Sequence, residues 1–301
     1  MPQDSLLINS AADSVRLQDS LNQLQAASIA HTTKTRDGSG FFILLFIGIA
    51  SLIIYKVWKK YQRRQAFETN LSHFSEYDAS LATYNEYYKS LPPDKRLRFM
   101  ERVSWFIATK TFECTDLPQE SIMPLLISAA SVQITFGLDK YLLDFFDTIY
   151  IMRHNYQFGL YPVAFEGHVN SNGIYLSWDN FLRGYENYND ADNVGIHEMA
   201  HALAYVNFMA GANDGKDEEF IKRFYNFSTV ARPIFNEMQN GKTNLLNQYA
   251  ATNYNEFWAV AVENFFEKSL PMKVEMPELY SALCSLLNQD PLLPGKIITI
   301  V

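Results

Sequence analysis

The sequence predicts an α+β protein, mostly helical with a small sheet, preceded by one membrane-spanning helix. Three observations carry that expectation. Apolar residues recur every three or four positions through much of the chain, the period of a helix with one buried face. Short runs rich in β-branched and aromatic residues cluster between positions 148 and 178, as strands require. Gly38 to Tyr55 is an unbroken uncharged run of 18 residues. At 1.5 Å per residue that run reaches about 27 Å, close to the roughly 30 Å hydrocarbon core of a bilayer.

Taken in order, residues 1–37 are rich in Ser, Asp, Gln and Thr and read as a mobile polar tail. Only a weak amphipathic pattern runs through Leu17, Leu21 and Leu24. Residues 38–58 are the expected transmembrane helix, with Lys56 able to snorkel and Trp58 suited to the interface. The long polar lead and the lack of an A-x-A site argue against a cleaved signal peptide. Lys56, Lys59, Lys60, Arg63 and Arg64 follow the span, against Lys34 and Arg36 with Asp37 before it. The basic side stays in the cytoplasm. The expectation is a single-pass protein of the cytoplasmic membrane, tail outside and large domain inside. Residues 59–80 are then a basic juxtamembrane helical segment, and 81–301 the main domain.

From Phe67 the positions Leu71, Phe74, Tyr77, Leu81, Tyr84 and Tyr88 step as one amphipathic helix, stopped at Leu91-Pro92-Pro93. Pro93 opens a second helix through Leu97, Phe99, Val103 and Phe106 to about Lys110. Asp116-Leu-Pro-Gln119 reads as the capped start of a third, through Met123, Leu126 and Ala130. Thr148–Met152, Tyr161–Phe165 and Gly173–Trp178 are the expected strands, with Ser171-Asn-Gly173 as a turn.

Composition excludes several classes. A net charge of −8 argues against a nucleic-acid footprint. Cys114 and Cys284 lack C-x-x-C spacing, so neither a disulfide framework nor a thiolate metal site is indicated. They read as buried thiols of a reducing compartment. The chain carries no P-loop or dinucleotide fingerprint.

The motif with chemical content is His197-Glu198-Met199-Ala200-His201. On a helix, His197 and His201 share a face one turn apart, which suits two corners of a zinc tetrahedron with bonds of about 2.0–2.1 Å. Glu198 lies about 100° round the helix, where it can take a proton from a bound water. Asp190, Asp192 and Asn193 offer N-caps. A third protein ligand is needed, and no His follows His201. A carboxylate must supply it. The best stretch is the apolar helix expected from Asn255 to Lys268, interrupted by Glu256, Glu263, Asn264 and Glu267. Glu256 and Glu263 share a face about 10 Å apart along the axis, so only one of them can bind the ion.

These residues resemble the Mlc titration factor A (MtfA-like) family of zinc peptidases, of gluzincin type. The resemblance rests on Leu176-Ser-Trp-Asp-Asn180, on Asn193 to His201, and on Tyr249-Ala-Ala-Thr-Asn-Tyr-Asn-Glu256. It continues through Glu263-Asn-Phe-Phe-Glu267, Pro277–Tyr280 and Gln289-Asp-Pro291. The resemblance implies a zincin-like domain holding one Zn2+ per chain on His197, His201 and Glu256. Glu198 is then the general base and Tyr249 the group that stabilises the transition state. Glu263 becomes a helix-face carboxylate awaiting a partner, Arg183 or a His outside the ligand set, structural rather than catalytic. In such folds a sheet lies over the site helix and its edge strand pairs with an extended substrate; Val163 to Val169 is the candidate edge. His168 there reads as a polar edge residue, and His31, His73 and His154 lack metal spacing. One departure is Ala204, where the family usually has Asp; Asn207 and Asp214 are the nearby substitutes. The implied partner is a peptide or protein substrate. The alternative is a zinc-containing regulatory protein that binds and sequesters a protein partner, such as a transcriptional regulator, at the membrane with little turnover.

Overall fold

The computed structural model describes residues 18–25, 38–159, 164–211 and 215–295. The chain divides into two units, Met1–Lys60 and Tyr61–Val301. In the first, residues 18–25 form a short helix exposed along its length, Leu21 and Leu24 included. The weak periodicity seen there is therefore helical, and the rest of the expected tail lies outside the described residues. Helix α1 (Gly38–Ser72) carries the uncharged run and is long and apolar enough to cross a membrane. Phe42, Leu44, Phe46 and Ile54 on it are all exposed. The helix does not stop near Trp58. No Gly or Pro occurs between Val57 and Leu71, and Arg64 donates to Glu68 one turn on at 2.7 Å.

The second unit begins inside α1, and Phe67 stacks on Trp105 at 4.4 Å between ring centres. The one helix expected from Phe67 to Leu91 is three. α1 ends at Ser72, followed by α2 (Phe74–Tyr84) and α3 (Glu86–Ser90). Asn85 makes the second break. Its backbone is extended and its side chain accepts the Tyr88 N–H at 2.7 Å. A side chain that caps a new helix competes with continuation of the old one. α4 (Pro93–Thr109) opens on Pro93 as expected. β1 (Thr111–Cys114) follows, where the sequence reading has only a helix end. α5 (Ile122–Thr135) starts later than Asp116-Leu-Pro-Gln119, because Asp116 accepts the Arg153 N–H at 2.7 Å instead of capping.

β2 (Thr148–Met152), β3 (Gly167–Asn170) and β4 (Gly173–Ser177) complete a sheet in the order β1-β2-β4-β3. β1, β2 and β4 run parallel and β3 antiparallel to β4. β3 has one neighbour among the described residues, so it is an edge strand and overlaps the expected one. The expected strand at 161–165 lies mostly outside the described residues, and Phe165 forms only an isolated bridge to Tyr156. Trp178 opens α6 (Trp178–Glu186) rather than closing β4.

The remaining elements are α7 (Val194–Phe208), α8 (Glu218–Gln239), a 3-10 turn (Gln248–Ala251), α9 (Tyr254–Glu267), α10 (Ser269–Glu275) and α11 (Pro277–Leu287). α5 is buried from Met123 to Thr135 and α9 from Phe257 to Glu267. A helix apolar on every side belongs at the centre of a domain, and these two form the core on which the site is built. Both cysteines are free thiols. Cys284 is buried, while Cys114, expected to be buried, is only half-buried at the end of β1.

Candidate metal centre

Asn193 sets where the motif helix begins. Its Oδ1 accepts the Ile196 N–H at 3.0 Å, and its Nδ2 donates to Glu267 Oε1 at 2.8 Å and to the Gly184 carbonyl at 3.2 Å. Of the three cap candidates, Asn193 is the cap. Glu267 is the last residue of α9, so one side chain ties the start of α7 to the end of its neighbour. Further along, Trp258 donates its indole N–H to the Ala200 carbonyl at 2.9 Å. α7 and α9 therefore run antiparallel, and the register brings their polar residues face to face.

His197, His201 and Glu256 converge there, with one ligand atom from each lying within 4.8 Å of the others. His197 Nε2 is 3.0 Å from His201 Nε2 and 3.0 Å from Glu256 Oε2, and His201 Nε2 is 3.3 Å from Glu256 Oε2. Three corners of a tetrahedron with metal bonds of about 2.0–2.1 Å are roughly 3.3 Å apart. The triangle fits that edge length. Its chemistry fits too, since two imidazoles and a carboxylate form a zinc donor set.

Glu263 is the second acid of α9, and the structure gives it a partner. Its Oε1 accepts from Nδ1 of His197 itself at 2.7 Å, rather than from a His outside the triangle, while Arg183, the named candidate, pairs with Glu166 at 3.1 Å. With Nδ1 carrying the donated proton, Nε2 is the nitrogen left to face Glu256 and an ion. The imidazole thus bridges two carboxylates two turns apart on α9. Burial disfavours charge on His197, but Glu263 and Glu256 outweigh it and hold its pKa well above the ordinary range. Glu256 is also desolvated, yet the hydrogen bonds from His197 and His201 keep it well below the usual carboxylate range. Both shifts report a point in the fold that favours positive charge beside Glu256.

Glu198 is 5 % exposed, and its Oε2 is buried without a hydrogen-bond partner. Burial lifts its pKa to about 7, against the opposing pull of His197 and His201. Gly167 of the edge strand lies directly over it. A Cβ there would sit 2.5 Å from Glu198 Cγ and 2.7 Å from its Oε1, so only glycine lets β3 pass this close. Tyr249 is held in the 3-10 turn by Asn247, whose side chain accepts the Tyr249 N–H at 3.1 Å. It is 55 % exposed, with its ring centre 6.1 Å from that of His197. Burial of its hydroxyl, aided by nearby Glu256, raises its pKa to about 12. It keeps its proton and can donate it in a hydrogen bond.

These groups line a cavity of about 540 Å³, together with His168, Phe208, Met209, Phe224 and Arg232. His168 stays out of the ligand cluster. Asn170 donates to its Nε2 at 3.0 Å, which leaves Nδ1 as the N–H donor to the Tyr156 hydroxyl at 2.9 Å. Both ring nitrogens are occupied, as a polar edge residue requires. His154 pairs with Asp179 at 2.6 Å, away from the cluster. Of the two proposed substitutes for the missing Asp, Asn207 is engaged away from the metal site. Asn207 donates to the Leu203 carbonyl and accepts from the Asp217 N–H, and Asp214 lies outside the described residues. Ala204 itself lines the cavity. Gly167 and Arg232 escaped the sequence reading. An isolated glycine within a strand was the available signal for the first, since it marks a close approach of backbone to another group.

Comparison with known proteins places this geometry in context. The profile of the glucose-regulated metallo-peptidase M90 family matches residues 58–287. An uncharacterized protein of Synechocystis sp., slr2042, is 24 % identical over 271 residues, covering 83 % of this chain and 97 % of its own.

Proposed function

The chain belongs to the glucose-regulated metallo-peptidase M90 family, and from that premise we propose that it is a zinc peptidase anchored to a membrane by α1. One observation carries the reading. The His197–His201–Glu256 triangle has the edge lengths of a zinc site, and a buried, unpartnered carboxylate oxygen of Glu198 stands beside it. In this reading His197, His201 and Glu256 are the ligands, with one ion per chain. When bound, zinc supplies Lewis acidity to the scissile carbonyl and brings the pKa of a coordinated water towards about 7.

The protein's own groups do the rest. Glu263 holds the His197 ring by Nδ1, which aims Nε2 at the ion and makes it a better donor. Glu198 takes the proton of the attacking water and delivers it to the leaving amine. Its raised pKa suits a group that must first accept and then release a proton near neutrality. The Tyr249 hydroxyl, protonated at neutral pH, donates to the oxygen that gains charge as the tetrahedral centre forms. The edge of β3 that has no partner among the described residues offers an extended peptide its backbone donors and acceptors beside Gly167 and Glu198.

The test uses the full chain in detergent, loaded with zinc and presented with a mixed peptide library. Glu198→Gln should keep the zinc and lose cleavage by about 10²–10⁴-fold, the usual worth of general-base catalysis. The competing role, sequestration of a regulatory protein with little turnover, requires no general base. Equal cellular complementation by the Glu198→Gln protein at matched expression would overturn the peptidase reading in favour of that role.

A further inference from the structure

Apart from its histidines, the cavity beside the triangle has one basic side chain among its described lining residues, Arg232. It stands on α8 with its guanidinium carbon 4.7 Å from the centre of the Tyr254 ring. Its side chain is exposed and makes no ion pair among the described residues. The acids of α8 that form ion pairs are engaged elsewhere: Glu219 with Lys222 and Arg223, and Glu237 with Lys242. The cavity's own acids, Glu198 and Glu256, have roles with the water and the ion in the reading above. Arg232 is thus a charge lining the cavity with no carboxylate partner among the described residues.

The placement of the guanidinium over the ring says what it can take. A guanidinium over an aromatic ring spends its face on the π system and keeps its N–H groups in plane. That edge matches the two oxygens of a carboxylate, and the match is bidentate. Tyr254 is the first residue of α9, and Glu256 follows two positions later on the same turn. The free N–H edge of Arg232 therefore borders the turn that supplies the carboxylate of the triangle. Asn253 and Asn255, on either side of Tyr254, also line the cavity.

We propose that Arg232 is a carboxylate-binding subsite, so that the enzyme prefers peptides bearing a carboxylate within reach of this edge. The carboxylate is either an acidic side chain near the scissile bond or the free C-terminus of a short peptide. This rests on the peptidase reading and adds the substrate class to it.

Two matched substrate pairs test the inference on the zinc-loaded full chain. One pair exchanges Glu for Gln at successive positions of a fixed peptide, and the other exchanges a C-terminal acid for the amide. One pair should show an acid preference of about tenfold in kcat/KM, the scale of one exposed charge-assisted contact. The pair that responds identifies which carboxylate is bound. Arg232→Gln should collapse that preference, and Arg232→Lys should restore only part of it because lysine lacks the planar fork. The absence of an acid preference in either pair, or a preference that survives Arg232→Gln, would overturn the subsite. If no peptide is cleaved, the peptidase reading fails on its own account. The subsite is then judged by anisotropy of the same fluorescently labelled pairs on the Glu198→Gln protein. Tighter binding of the acid that is lost with Arg232→Gln upholds it, and equal binding of acid and amide overturns it.

Discussion

His197 is gripped from both ends, by Glu256 at Nε2 and Glu263 at Nδ1, and the two acids should fail differently. In the proposed site Glu256 is a ligand, so Glu256→Ala should lose most of the zinc. Glu263→Ala should still bind one zinc per chain at saturation but with affinity about 10–100-fold weaker, the usual cost of losing the group that orients a ligand histidine. Chelator competition followed by elemental analysis distinguishes them; metal loss that follows Glu263 alone would reverse the assignment. In the proposed mechanism the Tyr249 hydroxyl acts only as charge develops, so Tyr249→Phe should lower turnover by roughly 10²–10³-fold while sparing substrate affinity. At this scale the motif was legible because its spacing is itself the geometry: five consecutive residues fix two imidazoles and a carboxylate on one helix. The choice between Glu256 and Glu263 was not. Both lie on one face of α9, and only the axial register of α9 against α7, fixed by Trp258 and Asn193, decides which of them meets Nε2. Arg232 was invisible for the same reason, since nothing in its local pattern says that α8 borders the site.

Asn193 and Glu267 join two elements, and that link carries a pH dependence. Burial lifts the Glu267 carboxyl to about 8, against the hydrogen bonds it accepts from Asn193 and the Ala191 N–H. In the unfolded chain a glutamate titrates near about 4.3. Between those values the unfolded chain has released a proton that the folded one retains, so this group's contribution to stability falls as pH rises. Glu267→Gln removes the titration. Its melting-temperature deficit relative to the parent should shrink from pH 5 to pH 8, and a deficit that grows would contradict the assignment. Helices and β2 were legible as elements because burial on one face imposes a period. Their ends were not: the break at Asn85 depends on a side chain choosing the Tyr88 N–H, and β1 alternates over only four residues, too few to stand out beside the helix before it. β1 is defined by its parallel pairing with β2, a contact from distant sequence.

At the scale of the whole molecule, α1 and the unit from Tyr61 onward make separate claims. The exposed apolar side chains of α1 have no covering among the described residues, and the basic residues from Lys56 to Arg64 follow its uncharged run. An alkaline phosphatase reporter fused after Val301 should be inactive, because the unit from Tyr61 is expected on the cytoplasmic side, where that reporter's disulfides do not form. Strong activity would reverse the orientation. The long apolar helix was legible from composition alone, because its uncharged run is unbroken. Its continuation to Ser72 was not, because helix propensity carries on wherever no Gly, Pro or cap intervenes.

The central claim is that a catalytic zinc sits on His197, His201 and Glu256, and anomalous scattering above and below the zinc edge locates it directly. Crystals of the zinc-loaded protein should show one peak per chain. That peak should lie about 2.0–2.1 Å from both histidine Nε2 atoms and about 2.0–2.2 Å from a Glu256 oxygen, with Glu263 touching His197 rather than the ion. A peak bonded to Glu263 or to His168, or none at this triangle in zinc-saturated crystals, would contradict it.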